Sequence, residues 1–106
     1  MTPINFNGLD TAVHGPIRLA VLTVLQTTGA TDFTALKKRL EVTDGALGLH
    51  LRKLEEAGYI RCEKSFVGRR PRSTYRISAA GHRAFADYLA AMQRVIDAVH
   101  GSESEG

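Results

Sequence analysis

The stretch from Thr31 to Tyr59 carries two sets of helix start and stop signals set so close together that the backbone has little choice. Thr31 and Asp32 are capping residues placed just before Phe33, Leu36 and Leu40, an i, i+3, i+7 apolar stripe. Lys37, Lys38 and Arg39 fall on the outer face of that short helix. Glu41-Val42-Thr43 then makes a tight turn, and Thr43 can cap a second short helix. Val42, before the cap, and Leu47, at the fourth helical position, have the spacing of a hydrophobic staple. Leu47, Leu51 and Leu54 form the inward stripe. The helix stops at Gly58, which can take the left-handed conformation and let Tyr59 fold back on Leu54 as in a Schellman motif.

Two short helices joined by a three-residue turn make a helix-turn-helix. Upstream, residues 1–9 show no periodicity and read as an extended arm. Asp10 can cap the next segment, and Pro16 suits a first helical turn because its missing N–H would be unpaired there. From Pro16 to Thr27 two apolar stripes run at helical spacing: Val13, Ile17, Val21, Val24 and Leu25 on one side, Leu19 and Leu22 on the other, with Ala20 between. A helix apolar on two sides must be covered twice, and the second cover is expected to be another subunit. Gly29 ends this helix.

After Tyr59 the period changes to two. Ile60, Cys62 and Phe66 are predicted to face inward, with Arg61, Glu63 and Ser65 outward and Lys64 breaking the pattern. A second strand, Thr74–Ile77, turns Tyr75 and Ile77 inward. The loop between them, Val67-Gly68-Arg69-Arg70-Pro71-Arg72, holds three arginines. Ser78 can cap a last helix, residues 79–99, where Phe85, Tyr88, Met92, Val95 and Val99 are spaced 3, 4, 3, 4 and Leu89 and Ile96 widen the seam. Such a helix is about 30 Å long, so its second half has little to pack against within one chain. Residues 101–106 read as a disordered acidic tail.

The 106 residues suit one domain, here residues 10–100, because two separate cores would each be too small. The longest apolar stretch, Leu19 to Leu25, is too short to span a membrane, and the N-terminus lacks the basic and apolar segments of a secretory signal. A single cysteine, Cys62, fits a reducing compartment, so a cytoplasmic location is expected. The net charge is only +3, yet residues 37–76 hold 11 basic and 5 acidic side chains. That +6 over the helix-turn-helix and hairpin, against −3 elsewhere, points to an anionic partner.

The order helix, helix-turn-helix, basic-tipped hairpin, helix, with the segments Leu47–Ile60 (LGLHLRKLEEAGYI), Gly68–Tyr75 (GRRPRSTY), Ser78–Gly81 (SAAG) and His14–Leu19 (HGPIRL), resembles short winged helix-turn-helix transcriptional regulators of the MarR/ArsR-like type. The fold class expected is α+β, mainly α with a small β-hairpin. The resemblance implies a homodimer bound to double-stranded operator DNA, with the third helix in the major groove and the wings on flanking backbone or minor groove. Carried onto this chain, the groove face is Thr43, Asp44, Gly45, Ala46, Gly48, Leu49, His50, Arg52 and Lys53. The wing contacts are Arg69, Arg70, Arg72 and Thr74. Relatives often place polar residues where Ala46, Gly48 and Leu49 stand, so affinity is expected to come mainly from phosphates and groove shape. The dimer interface is expected to use Leu19, Leu22, Phe85, Tyr88, Leu89, Met92, Val95, Ile96 and Val99. A repressor is expected, since no segment remains to recruit polymerase.

Several residues admit two readings. Leu49, at the outward centre of the third helix with Gly45, Arg52, Lys53 and Glu56, is either a contact for a thymine methyl or an ordinary surface leucine. His50 either donates to phosphate or packs at the helix edge. Lys37, Lys38 and Arg39 either cross the DNA backbone or simply face solvent. His14 and Arg18, four apart, suit a structural hydrogen bond. His82 and His100 have no nearby ligand partners and Cys62 stands alone, so no metal site is expected, and Cys62 reads as an inert core thiol. No nucleotide loop, nucleophile elbow or paired carboxylates appear, so neither an enzyme nor a cofactor is expected. Two alternatives remain open: a winged helix serving as a protein-interaction module, and a regulator with a small effector between its first and last helices.

Overall fold

The computed structural model describes residues 10–104, and the arm at 1–9 lies outside them. Four helices and three strands run in the order α1 (Pro16–Thr28), β1 (Thr31–Asp32), α2 (Phe33–Leu40), α3 (Asp44–Glu56), β2 (Ile60–Val67), β3 (Arg70–Ile77) and α4 (Ala79–Ser104). Pro16 opens α1 at its first turn, and a segment hinged on Asp10 leads into it, its carboxylate accepting from the Ala12 N–H at 2.8 Å. The Asp32 and Thr43 side chains cap α2 and α3 by accepting from Ala35 N–H at 2.7 Å and Ala46 N–H at 3.1 Å.

The C-terminus of α3 closes as its sequence predicts. Gly58 has φ 79°, and Tyr59 N–H donates to Leu54 C=O at 3.0 Å while Gly58 N–H donates to Glu55 C=O at 2.9 Å. Ser78 then links this motif to α4. Its Oγ donates to Gly58 C=O at 2.6 Å and accepts from Gly81 N–H at 3.0 Å, and its own N–H donates to Tyr59 C=O at 3.0 Å. Gly81 sits so close to Tyr59 that a Cβ there would lie 2.0 Å from the Tyr59 oxygen.

β2 and β3 pair antiparallel from Ile60↔Ile77 out to Val67↔Arg70, leaving Gly68 and Arg69 as a two-residue turn. Gly68 has φ 64° and Arg69 does not share the positive sign, the pattern of a type II′ hairpin. β1 adds a third strand on the free edge of β3, with Thr31↔Tyr75 and Asp32↔Thr74. Sequence alone marks Thr31 and Asp32 only as caps, because two residues are too few to show a period. It also starts the second strand at Thr74, four residues late, since an exposed strand carrying arginines lacks apolar alternation.

The core gathers Val13, Val21, Leu22, Leu25, Leu36, Leu47, Leu51, Leu54, Ile60, Tyr75, Phe85 and Tyr88. Both apolar sides of α1 are covered within one chain: Val21, Leu22, Val24 and Leu25 are all buried. The expected second-subunit cover for Leu22 is therefore corrected. Phe85 and Tyr88 are likewise taken up by the chain's own core, at 5% and 2% exposure, and Leu19 is half-buried. His14 accompanies Tyr88, its Nδ1 lying 2.7 Å from the tyrosine hydroxyl, and Arg18 Nη2 donates to His14 C=O at 2.7 Å. Phe66 is corrected too, being 72% exposed. It keeps the inward parity of Ile60 and Cys62, but the hairpin has by then passed the edge of the core. Cys62 is half-buried opposite Tyr75, whose hydroxyl is pushed up to about 12 by burial and by that thiol.

The last helix continues through residues 101–104, where a tail was expected, and 105–106 lie outside the described residues. Helix and wing give the molecule a long axis of 62 Å against 25 and 22 Å. Among the described residues no helix is long and apolar enough to cross a membrane.

Candidate nucleic-acid interface

The outward surface of α3 begins at a turn held from both sides. Thr43 spends a hydroxyl lone pair on its cap, and Asp44 pairs with Lys37 of α2 at 2.7 Å. Of these two residues, expected among the groove contacts, Thr43 thus closes the start of α3 and Asp44 joins it to α2 by an exposed ion pair. Arg39 is similarly engaged, its Nη1 donating to Thr28 Oγ1 at 2.8 Å. Beyond the turn the surface is open. A Cβ at Gly45 or Gly48 would meet nothing within 4 Å, and Leu49 is 47% exposed. Arg52 and Lys53 are exposed, and among the described residues neither side chain has a hydrogen bond or ion pair.

A glycine inside a helix costs about 0.5–1 kcal/mol relative to alanine. Two glycines, one exposed and one half-buried, each with nothing within 4 Å of an added Cβ among the described residues, lower the stability of α3 without a packing gain at those positions. What they provide is a helix surface thin enough for another body to come within backbone distance.

His50 and Ala46 are half-buried on the flank of α3. His50 Nδ1 and Arg18 Nε are both buried with no hydrogen-bond partner. Burial first, then the charges of Arg18 and Lys53, hold the imidazole below its ordinary pKa. The lowered pKa disfavours the charged ring, which favours the packing reading of His50 over a charged phosphate donor.

On the wing the three arginines part company. Arg69 and Arg70 are exposed, with no side-chain partner among the described residues. Arg72 instead reaches back across the sheet to Asp32, its Nη2 at 2.9 Å and Nε at 3.2 Å from one carboxylate oxygen. Asp32 thus caps α2 through one oxygen and holds the wing through the other. The Ala35 N–H lowers its pKa most; burial works against this, and Arg72 lowers it further. Thr74, expected as a wing contact, is half-buried at the root of the sheet between Asp32 and Glu63. Arg76 faces Glu63 at 3.5 Å. Between the wing and the start of α2 runs a groove of about 490 Å³, lined by Phe33, Thr34, Val67, Arg70 and Pro71 among others. Nothing in the sequence places Phe33 and Thr34 there, since only the tertiary fold sets α2 beside β3.

Helix-turn-helix, three-stranded wing and unpaired cations are the parts of a nucleic-acid reader, and a family model described as a winged helix DNA-binding domain matches residues 17–96. The chain belongs to that family. It is 36% identical over 73 residues to an uncharacterized protein of Methanocaldococcus jannaschii, covering 69% of this chain and 79% of the relative. It is similar in structure to a transcriptional regulator homologue from Pyrococcus horikoshii OT3, with 28% identity, a TM-score of 0.77, and 83% of this chain matched to 87% of that one. The fold also matches Bacillus subtilis PadR in complex with operator DNA, with a TM-score of 0.60 at 18% identity, over 66% of this chain and 45% of PadR. Solved MarR- and ArsR-family regulators share the architecture. The family and fold are those of transcriptional regulators and not of enzymes.

Proposed function

We propose that this winged helix binds double-stranded DNA as a homodimeric transcriptional repressor, with α3 in the major groove and the wing on flanking backbone or minor groove. The observation that carries the reading is the open face of α3. Gly45 and Gly48 leave the helix surface bare, and Arg52, Lys53, Arg69 and Arg70 have no partner of their own among the described residues. Apolar or absent side chains at Ala46, Gly48 and Leu49 give few donors for base edges, so shape and phosphate contacts carry most of the affinity.

The dimer reading rests on the far half of α4. Leu89, Ile96 and Val99 are 48%, 41% and 52% exposed. With Met92 and Val95 they fall within about 120° of helix circumference, a stripe suited to a symmetry mate. A two-fold pair would set its α3 helices about 34 Å apart on a pseudo-palindromic site.

Fluorescence anisotropy on the protein's own upstream DNA, titrated with salt, tests this. Arg69→Ala and Arg70→Ala should each lower the log–log salt slope by about 0.9, and Arg72→Ala by less because Asp32 already neutralises it. Competition by random duplex at equal strength would refute a sequence-specific regulator.

A further inference from the structure

The tip of the wing exposes more apolar surface than a solvated hairpin needs. Phe66 is 72% exposed and Val67 57%. Pro71, the cross-strand partner of Phe66, is exposed on the same face. At about 3.4 Å per residue the last strand pair stands roughly 17 Å beyond Cys62 and Tyr75, the last pair that touches the core. Among the described residues nothing covers Phe66. The charges nearest the tip are cationic: from Lys64 to Ala86 the sequence holds no carboxylate, Arg69 lies in the turn and Arg70 follows it, while Asp32 is taken up by Arg72 farther down the strand.

An apolar side chain near the tip, with one free arginine in the turn and another on the opposite face of the ribbon, calls for an apolar slot flanked by anions. Duplex DNA has that arrangement, with stacked bases at the floor of the minor groove and phosphates along its walls. The groove is about 6 Å wide, too narrow for a two-stranded ribbon, so only side chains at a tight tip can enter. The two-residue turn at Gly68 and Arg69 makes such a tip.

We propose that the wing tip is an apolar wedge: Phe66, backed by Pro71, enters the minor groove and partly unstacks a base step while Arg69 and Arg70 hold the flanking phosphates. This rests on the duplex-binding reading and adds that binding deforms the DNA. Specificity then includes a flexible pyrimidine–purine step under each wing, at a position no side chain reads by hydrogen bonding.

The test uses an A·T-rich duplex of about 30 base pairs with 2-aminopurine at a central TA step and a donor and acceptor dye at its ends. Wild-type protein should raise 2-aminopurine emission and shorten the end-to-end distance by a bend of at least about 20°. Phe66→Ser should lose both signals and bind about tenfold more weakly, while Phe66→Leu keeps most of each. Arg69→Ala with Arg70→Ala should lower the salt slope yet leave the emission rise at saturation. Because Phe66 lies outside the core, each variant should melt like wild type by circular dichroism. Wild-type binding with no rise in emission, or a Phe66→Ser variant that bends DNA equally, overturns the wedge and leaves DNA binding standing. Absence of duplex binding at low salt overturns both.

Discussion

Gly81→Ala tests the contact that ties the end of α3 to the long C-terminal helix. An added methyl would lie 2.0 Å from the Tyr59 carbonyl oxygen and 2.9 Å from its carbon and from Ile77 Cγ1. A carbon–oxygen contact needs about 3.3 Å, so the start of α4 must retreat by roughly 1 Å. That oxygen already accepts the Ser78 N–H, and Ser78 Oγ bridges Gly58 and Gly81 in the same few ångströms. Overpacking costs about 1–3 kcal/mol, and one strained buried hydrogen bond adds about 1 kcal/mol. Alanine's better helix propensity returns about 1 kcal/mol. The net loss should be about 1–3 kcal/mol, a fall in Tm of roughly 5–20 °C for a domain of this size. Gly101→Ala, in the same helix, where an added Cβ would meet nothing within 4 Å among the described residues, should be neutral or stabilising. Urea denaturation of the three proteins at one fixed concentration decides the matter. A Gly81→Ala protein as stable as wild type would refute the argument.

The same geometry sets three further outcomes. Gly48→Ala should raise stability by about 0.5–1 kcal/mol in a urea melt while weakening duplex binding; a gain in both would show that nothing approaches that face closely. Asp32 has a lowered pKa in the folded state, so its contribution is present above the unfolded carboxylate range near 4 and is lost as pH falls through the folded value. Stability of wild type should therefore drop more steeply below pH 4 than that of Asp32→Asn, as measured by denaturation at stepped pH. Ile96→Glu with Val99→Glu should halve the mass seen by light scattering, since paired charges would face each other across the seam. These positions serve better than truncation after Leu89, which would remove Ala91, fully buried, and Met92, which packs on the core.

Local chemistry by itself determined the helix-turn-helix. The caps at Asp32 and Thr43 and the Gly58–Tyr59 closure are short-range hydrogen-bond patterns, complete within a few residues, and so they are written in residue type and spacing. The division of charge along the chain was equally legible, because it depends on order alone. Tertiary structure decided everything that depends on which element lies beside which. It sent Leu22, Phe85 and Tyr88 to the chain's own core, since periodicity marks an apolar face without saying what covers it. It left Phe66 in solvent, because strand alternation gives the side of the sheet but not how far the core extends beneath it. It separated Arg72 from Arg69 and Arg70 by bringing Asp32, forty residues away in sequence, under one of them. Three arginines alike in sequence thus became one strut and two free cations, a difference that only long-range packing can make.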